Sequence, residues 1–85
     1  MDADVVTEAL ALAEAAPTVR EAAQRLREHY RQLRVVVVDA LDMRDEVPAA
    51  QGATRAIYYG ASDGHCWQVT GDPALAAGFF LTERG

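Results

Sequence analysis

Apolar residues recur at helical spacing along the first third of the chain, and from residue 34 onward the spacing changes. Val5, Val6, Ala9, Leu12, Ala13 and Ala16 share one side of a helical wheel, and Asp4, Glu8 and Glu14 fall elsewhere. That pattern predicts an amphipathic helix over residues 2–16. Asp2 and Asp4 place negative charge at its N-terminus, where free amides favour it, and Pro17 stops it. The stretch "TVRE", Thr18 to Glu21, has capping-box spacing, in which a hydroxyl and a carboxylate satisfy each other's unpaired amides. The helix it opens carries Val19, Ala22, Ala23, Leu26, Tyr30 and Leu33 in one stripe, with Glu21 and Arg25 placed as an i,i+4 ion pair. Helices joined by so short a connection run antiparallel, so residues 2–33 predict a helical hairpin.

The run "RVVVVDA", residues 34–40, is β-branched and too short for a helix, and predicts a buried strand. "LDMRDEVPAAQGAT", residues 41–54, has no period and contains Pro48 and Gly52, so a long loop is expected. "RAIYYGAS" and "HCWQVTG" flank Asp63-Gly64, the dipeptide of a tight β-hairpin. Gly71-Asp72-Pro73 predicts a short helical turn capped by Asp72 and closed by Gly78, and "FFLT" a last strand. The whole reads as one α+β domain over residues 1–85 in two layers. An N-terminal antiparallel helical hairpin packs on a mostly antiparallel sheet of three or four strands, in the order ααββ, short α, β.

A two-residue turn at Asp63-Gly64 pairs Ser62 with His65 and Gly60 with Trp67. One face then holds Ala56, Tyr58, Gly60, Ser62, His65, Trp67 and Val69, and the other Ile57, Tyr59, Ala61, Cys66, Gln68 and Thr70. The indole of Trp67 is expected to lie over Gly60, recovering packing that the glycine gives up. The tryptophan face is expected beneath the helices, which leaves Ile57, Tyr59, Cys66 and Gln68 on an open face available to a partner.

Candidate chemistry is sparse. His65 and Cys66 are neighbours on a strand and so point apart, whereas a thiolate nucleophile needs its base within hydrogen-bond reach. Ser62 and His65 share a face near Asp63, but an exposed hairpin tip supplies neither an oxyanion hole nor a sheltered pocket. "DALDMRDE" gathers Asp39, Asp42, Asp45 and Glu46, the oxygen donors a hard divalent cation takes. It lacks the glycine of an EF-hand loop, and Arg44 competes for the carboxylates, so a solvated acidic loop is the simpler expectation. As a long loop leaving a strand it is also a natural contact for a partner, through Asp42, Asp45 and Glu46. No glycine-rich phosphate loop and no His/Cys set at zinc spacing is present in the sequence.

Net charge narrows the partners. At −5, with eight basic residues that are all arginine, the chain lacks the concentrated positive surface that nucleic acid requires. Cys66 is the single cysteine, so no intramolecular disulfide forms and a reducing, cytoplasmic location is expected. The acidic start and the interrupted apolar run fit neither a secretory signal nor a membrane span.

The segments "RVVVVDALDMRDEVP" and "SDGHCWQVTGDPALAAGFFLTERG", roughly the C-terminal half, resemble those of a family of small uncharacterised bacterial proteins of about this length. The resemblance extends to an association with nitrogen-fixing bacteria. It implies an accessory role and supplies no site residues. Together these readings predict a non-catalytic accessory or protein-interaction module, with a protein partner or a second copy as its target and no cofactor. The alternative is a small-ligand or divalent-metal binding domain that uses the acidic 39–46 loop and the hairpin tip.

Overall fold

The structure, a computed structural model, describes residues 1–84. Helix α1 spans Ala3–Ala15 and helix α2 spans Val19–His29. The Asp2 carboxylate caps α1 by accepting from the Asp4 amide at 3.0 Å. The Thr18 hydroxyl caps α2 by accepting from the Glu21 amide at 3.1 Å. The Glu21 carboxylate turns instead to Arg25, 3.2 Å away, so one limb of the expected capping box is built together with the expected i,i+4 pair. Tyr30, just past the end of α2, reaches Val5 and Glu8 near the start of α1, so the two helices run antiparallel. Their shared face is lined by Ala9, Ala13, Ala22 and Ala23, all fully buried, and such small side chains let the helices approach each other and the sheet closely.

The remaining chain forms a mixed five-stranded sheet: β1 (Arg34–Val37), β2 (Ala50–Gln51), β3 (Arg55–Ser62), β4 (Trp67–Thr70) and β5 (Gly78–Glu83). A 3₁₀ turn over Ala40–Met43 lies between β1 and β2. The strand order is β1-β5-β3-β2, with β4 also paired to β3. One edge of β3 is therefore shared, β2 pairing with Ala56 and Ile57 and β4 with Tyr59 to Ser62. β1 runs parallel to β5 and every other pairing is antiparallel. Two helices followed by this sheet give the α+β, two-layer arrangement that periodicity predicts.

Three local expectations change. β1 ends at Val37 because Asp39 turns to cap the 3₁₀ turn, accepting from the Leu41 amide at 2.9 Å. The long loop holds that turn and the short strand β2. Asp72 does accept from the Ala74 amide at 2.9 Å, but only a single turn forms there. β5 claims the chain from Gly78, and too few residues remain to repay helix nucleation.

The choice of faces is corrected as well. Ile57 and Tyr59 lie under the helices, in one core with Val35, Phe79, Leu81, Leu26 and the buried alanines. Ala56, Tyr58 and Phe80 form a second cluster on the reverse side, with Met43 buried against them and Trp67, Val69, Val36 and Val38 around it. The reason lies in β5. It sets Leu81 beside Ile57 and Phe79 beside Tyr59 on one side, and Phe80 beside Tyr58 on the other. Both faces of the β3–β5 pair are thus apolar, and the helices cover the one that carries Ile57, Tyr59, Phe79 and Leu81.

Gly78 sits where β1 and β5 meet, paired with Arg34. A Cβ there would come within 2.0 Å of the Arg34 carbonyl oxygen, a backbone atom that cannot swing aside. Gly78→Ala is expected to lower unfolding free energy by about 3 kcal/mol, read by urea denaturation. Gly71→Ala, at a position with open space, serves as the control and is expected to leave the midpoint nearly unchanged.

Candidate interaction surface

The hairpin tip is a four-residue loop, Asp63 to Cys66, rather than a two-residue turn. The Asp63 carboxylate accepts from the His65 and Cys66 amides at 2.9 and 2.8 Å, and Gly64 takes a φ of 95°. Those two amide hydrogen bonds outweigh a small burial penalty and hold the Asp63 carboxyl below its ordinary range. The pairing becomes Ser62 with Trp67 and Gly60 with Val69, a slip of two residues from the expected register. A slip of two preserves which side chains share a face. Trp67 accordingly still lies over Gly60, now diagonally, and a Cβ on the glycine would meet the indole at 2.4 Å. The Ser62 hydroxyl accepts from the Gly64 amide at 3.1 Å, so it serves the turn. Ser62, His65 and Cys66 are all exposed.

On the reverse side of the sheet, Trp67 stacks at a tilt on Phe80 with centroids 5.7 Å apart. The Arg34 guanidinium lies 4.9 Å over the indole, a cation–π contact that covers part of this face. The 3₁₀ turn covers more of it by inserting Met43. That anchor explains why the acid-rich segment has a defined course: one apolar side chain is pinned while its neighbours face solvent. Val37, Leu41 and Val47 are 40 %, 70 % and 84 % exposed. Asp39, Asp42, Asp45 and Glu46 are exposed between them, with Arg44 4.0 Å from Asp45.

Two polar clusters serve the fold. Arg55 is buried at the C-terminal end of α1, where it donates to the Ala16 carbonyl at 3.2 Å and to Glu83 at 3.3 Å. Glu14 reaches from α1 to the start of β3 and accepts from the Thr54 and Arg55 amides at 3.0 and 2.5 Å. Partial burial pushes the Glu14 carboxyl up, but those amides, the Thr54 hydroxyl and the Arg55 charge together hold it below its ordinary value. Midway along α1, Glu8 accepts from the Tyr30 hydroxyl at 2.5 Å and lies 3.1 Å from His29. The Tyr30 hydrogen bond, then His29, lowers the Glu8 carboxyl, while burial and Glu8 raise the Tyr30 hydroxyl well above its ordinary value. His29, the last residue of α2, is exposed.

Of the residues singled out in the sequence as an interaction surface, Ile57 and Tyr59 are core side chains and drop out. Cys66, Gln68, Asp42, Asp45 and Glu46 are exposed. Leu41, Met43 and Val47 went unmarked in the sequence. Their signal is three apolar residues interleaved with acids in a stretch that has no period. Among the described residues no pocket opens, and no three His, Cys, Asp or Glu side chains converge as a metal ion requires. No helix among them is long and apolar enough to cross a membrane. Compared with protein-family models, curated proteins and solved structures, the chain matches none.

The sign of the acid response follows from the lowered carboxyls. Glu8, Glu14 and Asp63 have folded pKa values below their unfolded ones, so their contribution is complete above the ordinary carboxylate range and is lost as pH falls through the folded values. The urea midpoint is therefore expected to drop between about pH 5 and about pH 3. Glu14→Gln is expected to begin lower at neutral pH and to fall less steeply over that window.

Proposed function

We propose that this chain is a small non-catalytic accessory module that acts by binding another protein through the segment leaving β1. One observation carries the reading. Of the four exposed large apolar side chains among the described residues, three, Val37, Leu41 and Val47, lie within residues 37–47. A monomeric surface scatters such residues singly, and their concentration in one stretch supports reading it as the contact. The acids between them complement the apolar positions. Asp42, Asp45 and Glu46 give the stretch a negative field that steers and orients a partner with basic residues around an apolar centre. Met43, pinned in the reverse core, fixes the segment before the partner arrives and so reduces the ordering cost of binding.

The test compares the wild-type chain with Leu41→Asp/Val47→Asp as bait in native lysate. Both replaced side chains are exposed, so stability is expected to stay within about 0.5 kcal/mol of wild type, checked by thermal melting. A protein retained by the wild type and lost by the variant is the expected result. Equal capture by both, or none by either, overturns this surface.

A further inference from the structure

We infer that the open edge of β1 is a self-pairing surface, on which a second copy of this chain adds its own β1 antiparallel, centred on Val37, with Arg27 fixing the register. The inference rests on the reading of the chain as an interaction module and names one partner for it.

β1 is the terminal strand of the sheet, bonded only to β5. In a parallel ladder alternate residues turn their amide and carbonyl to opposite edges. The Arg34 amide donates to the Ala77 carbonyl at 3.4 Å and the Val38 amide to the Leu81 carbonyl at 3.0 Å. Val36 shares that side, and Val35 and Val37 turn their backbone groups to the free edge. There the two outward residues differ. The Val35 carbonyl accepts twice from the Arg27 guanidinium, at 3.1 and 2.8 Å. Among the described residues Val37 meets no such guard, and it is 40 % exposed. A β-branched edge with an unguarded backbone pair is a template for strand addition.

Symmetry restricts the register. Two copies joined edge to edge by antiparallel strands have their two-fold axis perpendicular to the sheet, so the axis must pass through a residue paired with itself. Centring on Val36 would pair Val35 with the partner's Val37 and would need both Val35 carbonyls, which Arg27 already holds. Centring on Val37 needs only the free groups: each Val37 amide donates to the other Val37 carbonyl. This register sets Val35 opposite the partner's Asp39. Val35 belongs to the helix-side core, and alternation along extended backbone turns Asp39 to the same side. Arg27, on α2, also lies on that side at Val35. Each Arg27 therefore meets the partner's Asp39, and two reciprocal ion pairs close the ends of a short ladder. Such a strip of contact falls at the small end of specific interfaces, so the dimer is weak and concentration-dependent.

Sedimentation equilibrium of the full chain from about 10 µM to about 1 mM reads the assembly. The wild type is expected to pass from monomer to dimer. Val37→Pro removes the central donor at an edge position where proline is tolerated, and is expected to weaken the dimer on the order of a hundredfold with an unchanged circular dichroism spectrum. A charge-swap mixture tests the register without relying on that variant. Arg27→Glu alone and Asp39→Arg alone each set like charges together and are expected to be monomers. Mixed in equal amounts they form a heterodimer, because both cross-strand pairs are then opposite in sign. A wild type that stays monomeric at the highest concentration overturns the inference, as does a dimer indifferent to Val37→Pro or a mixture that fails to associate. A monomeric wild type that still loses a captured protein on Leu41→Asp/Val47→Asp removes self-pairing and leaves the interaction reading intact. A dimer that obeys these rules while nothing else is captured leaves the second copy as the partner.

Discussion

The pairing of β3 with β5 is the constraint to which the other elements answer. Along that ladder Ile57 meets Leu81, Tyr59 meets Phe79 and Tyr58 meets Phe80, so large apolar side chains leave the sheet in both directions. A sheet apolar on both sides must be covered on both sides. The helical hairpin covers one, with alanines bringing its backbone close and Leu26 and Tyr30 filling the space above Phe79. Among the described residues there is no third helix for the other. The chain covers that face with a single 3₁₀ turn that inserts Met43, with the Trp67 indole spread over Gly60, and with Arg34 laid across the indole. Both strands admit this arrangement because glycine stands where the approach is closest, Gly60 under the ring and Gly78 against the β1 backbone.

Polar groups hold the two layers in register. Glu14 accepts from the amides that open β3, and Arg55, one residue on, returns a guanidinium to the carbonyl that ends α1. The helix end and the strand start are thereby exchanged as partners, each meeting backbone groups the other leaves unpaired. Glu8 with Tyr30 does a related task midway along α1, tying the first helix to the residue that terminates the second. These carboxylates are recruited by the fold, and the hydrogen bonds it gives them account for their lowered pKa values.

The sequence was legible where short-range physics decides. The periods of residues 2–33, the capping threonine at position 18, and the tryptophan resting on Gly60 are each set by a few neighbouring residues. The face beneath the helices was not legible from the 58–69 hairpin. Phe79, Phe80 and Leu81 settle it, and they join β3 only in the folded chain. Every residue of "RAIYYG" is buried, which is the signature of a strand covered on both sides and not of one with an open face. The loop at Asp63 is two residues longer than its dipeptide implies because the carboxylate bonds two amides beyond that dipeptide. Leu41, Met43 and Val47 were hidden for another reason. An isolated apolar residue among acids has no period to reveal it, and Met43 becomes an anchor only once Tyr58 and Phe80 stand beneath it.

A small chain that covers both faces of its sheet leaves little broad apolar surface to offer a partner. What remains lies where the sheet stops and where its improvised cover faces outward. Arg27 shows that the first of these places is under control, since a guanidinium occupies the Val35 carbonyl and leaves Val37 beside it open. A fold built only to stay monomeric would be better served by a charged residue at position 37. Val37, the guarded carbonyl of Val35 two residues before it and Asp39 two residues after it form one short pattern of strand and charge. Such a pattern discriminates among strands by register, which is the property a specific contact requires and an unguarded sticky edge lacks.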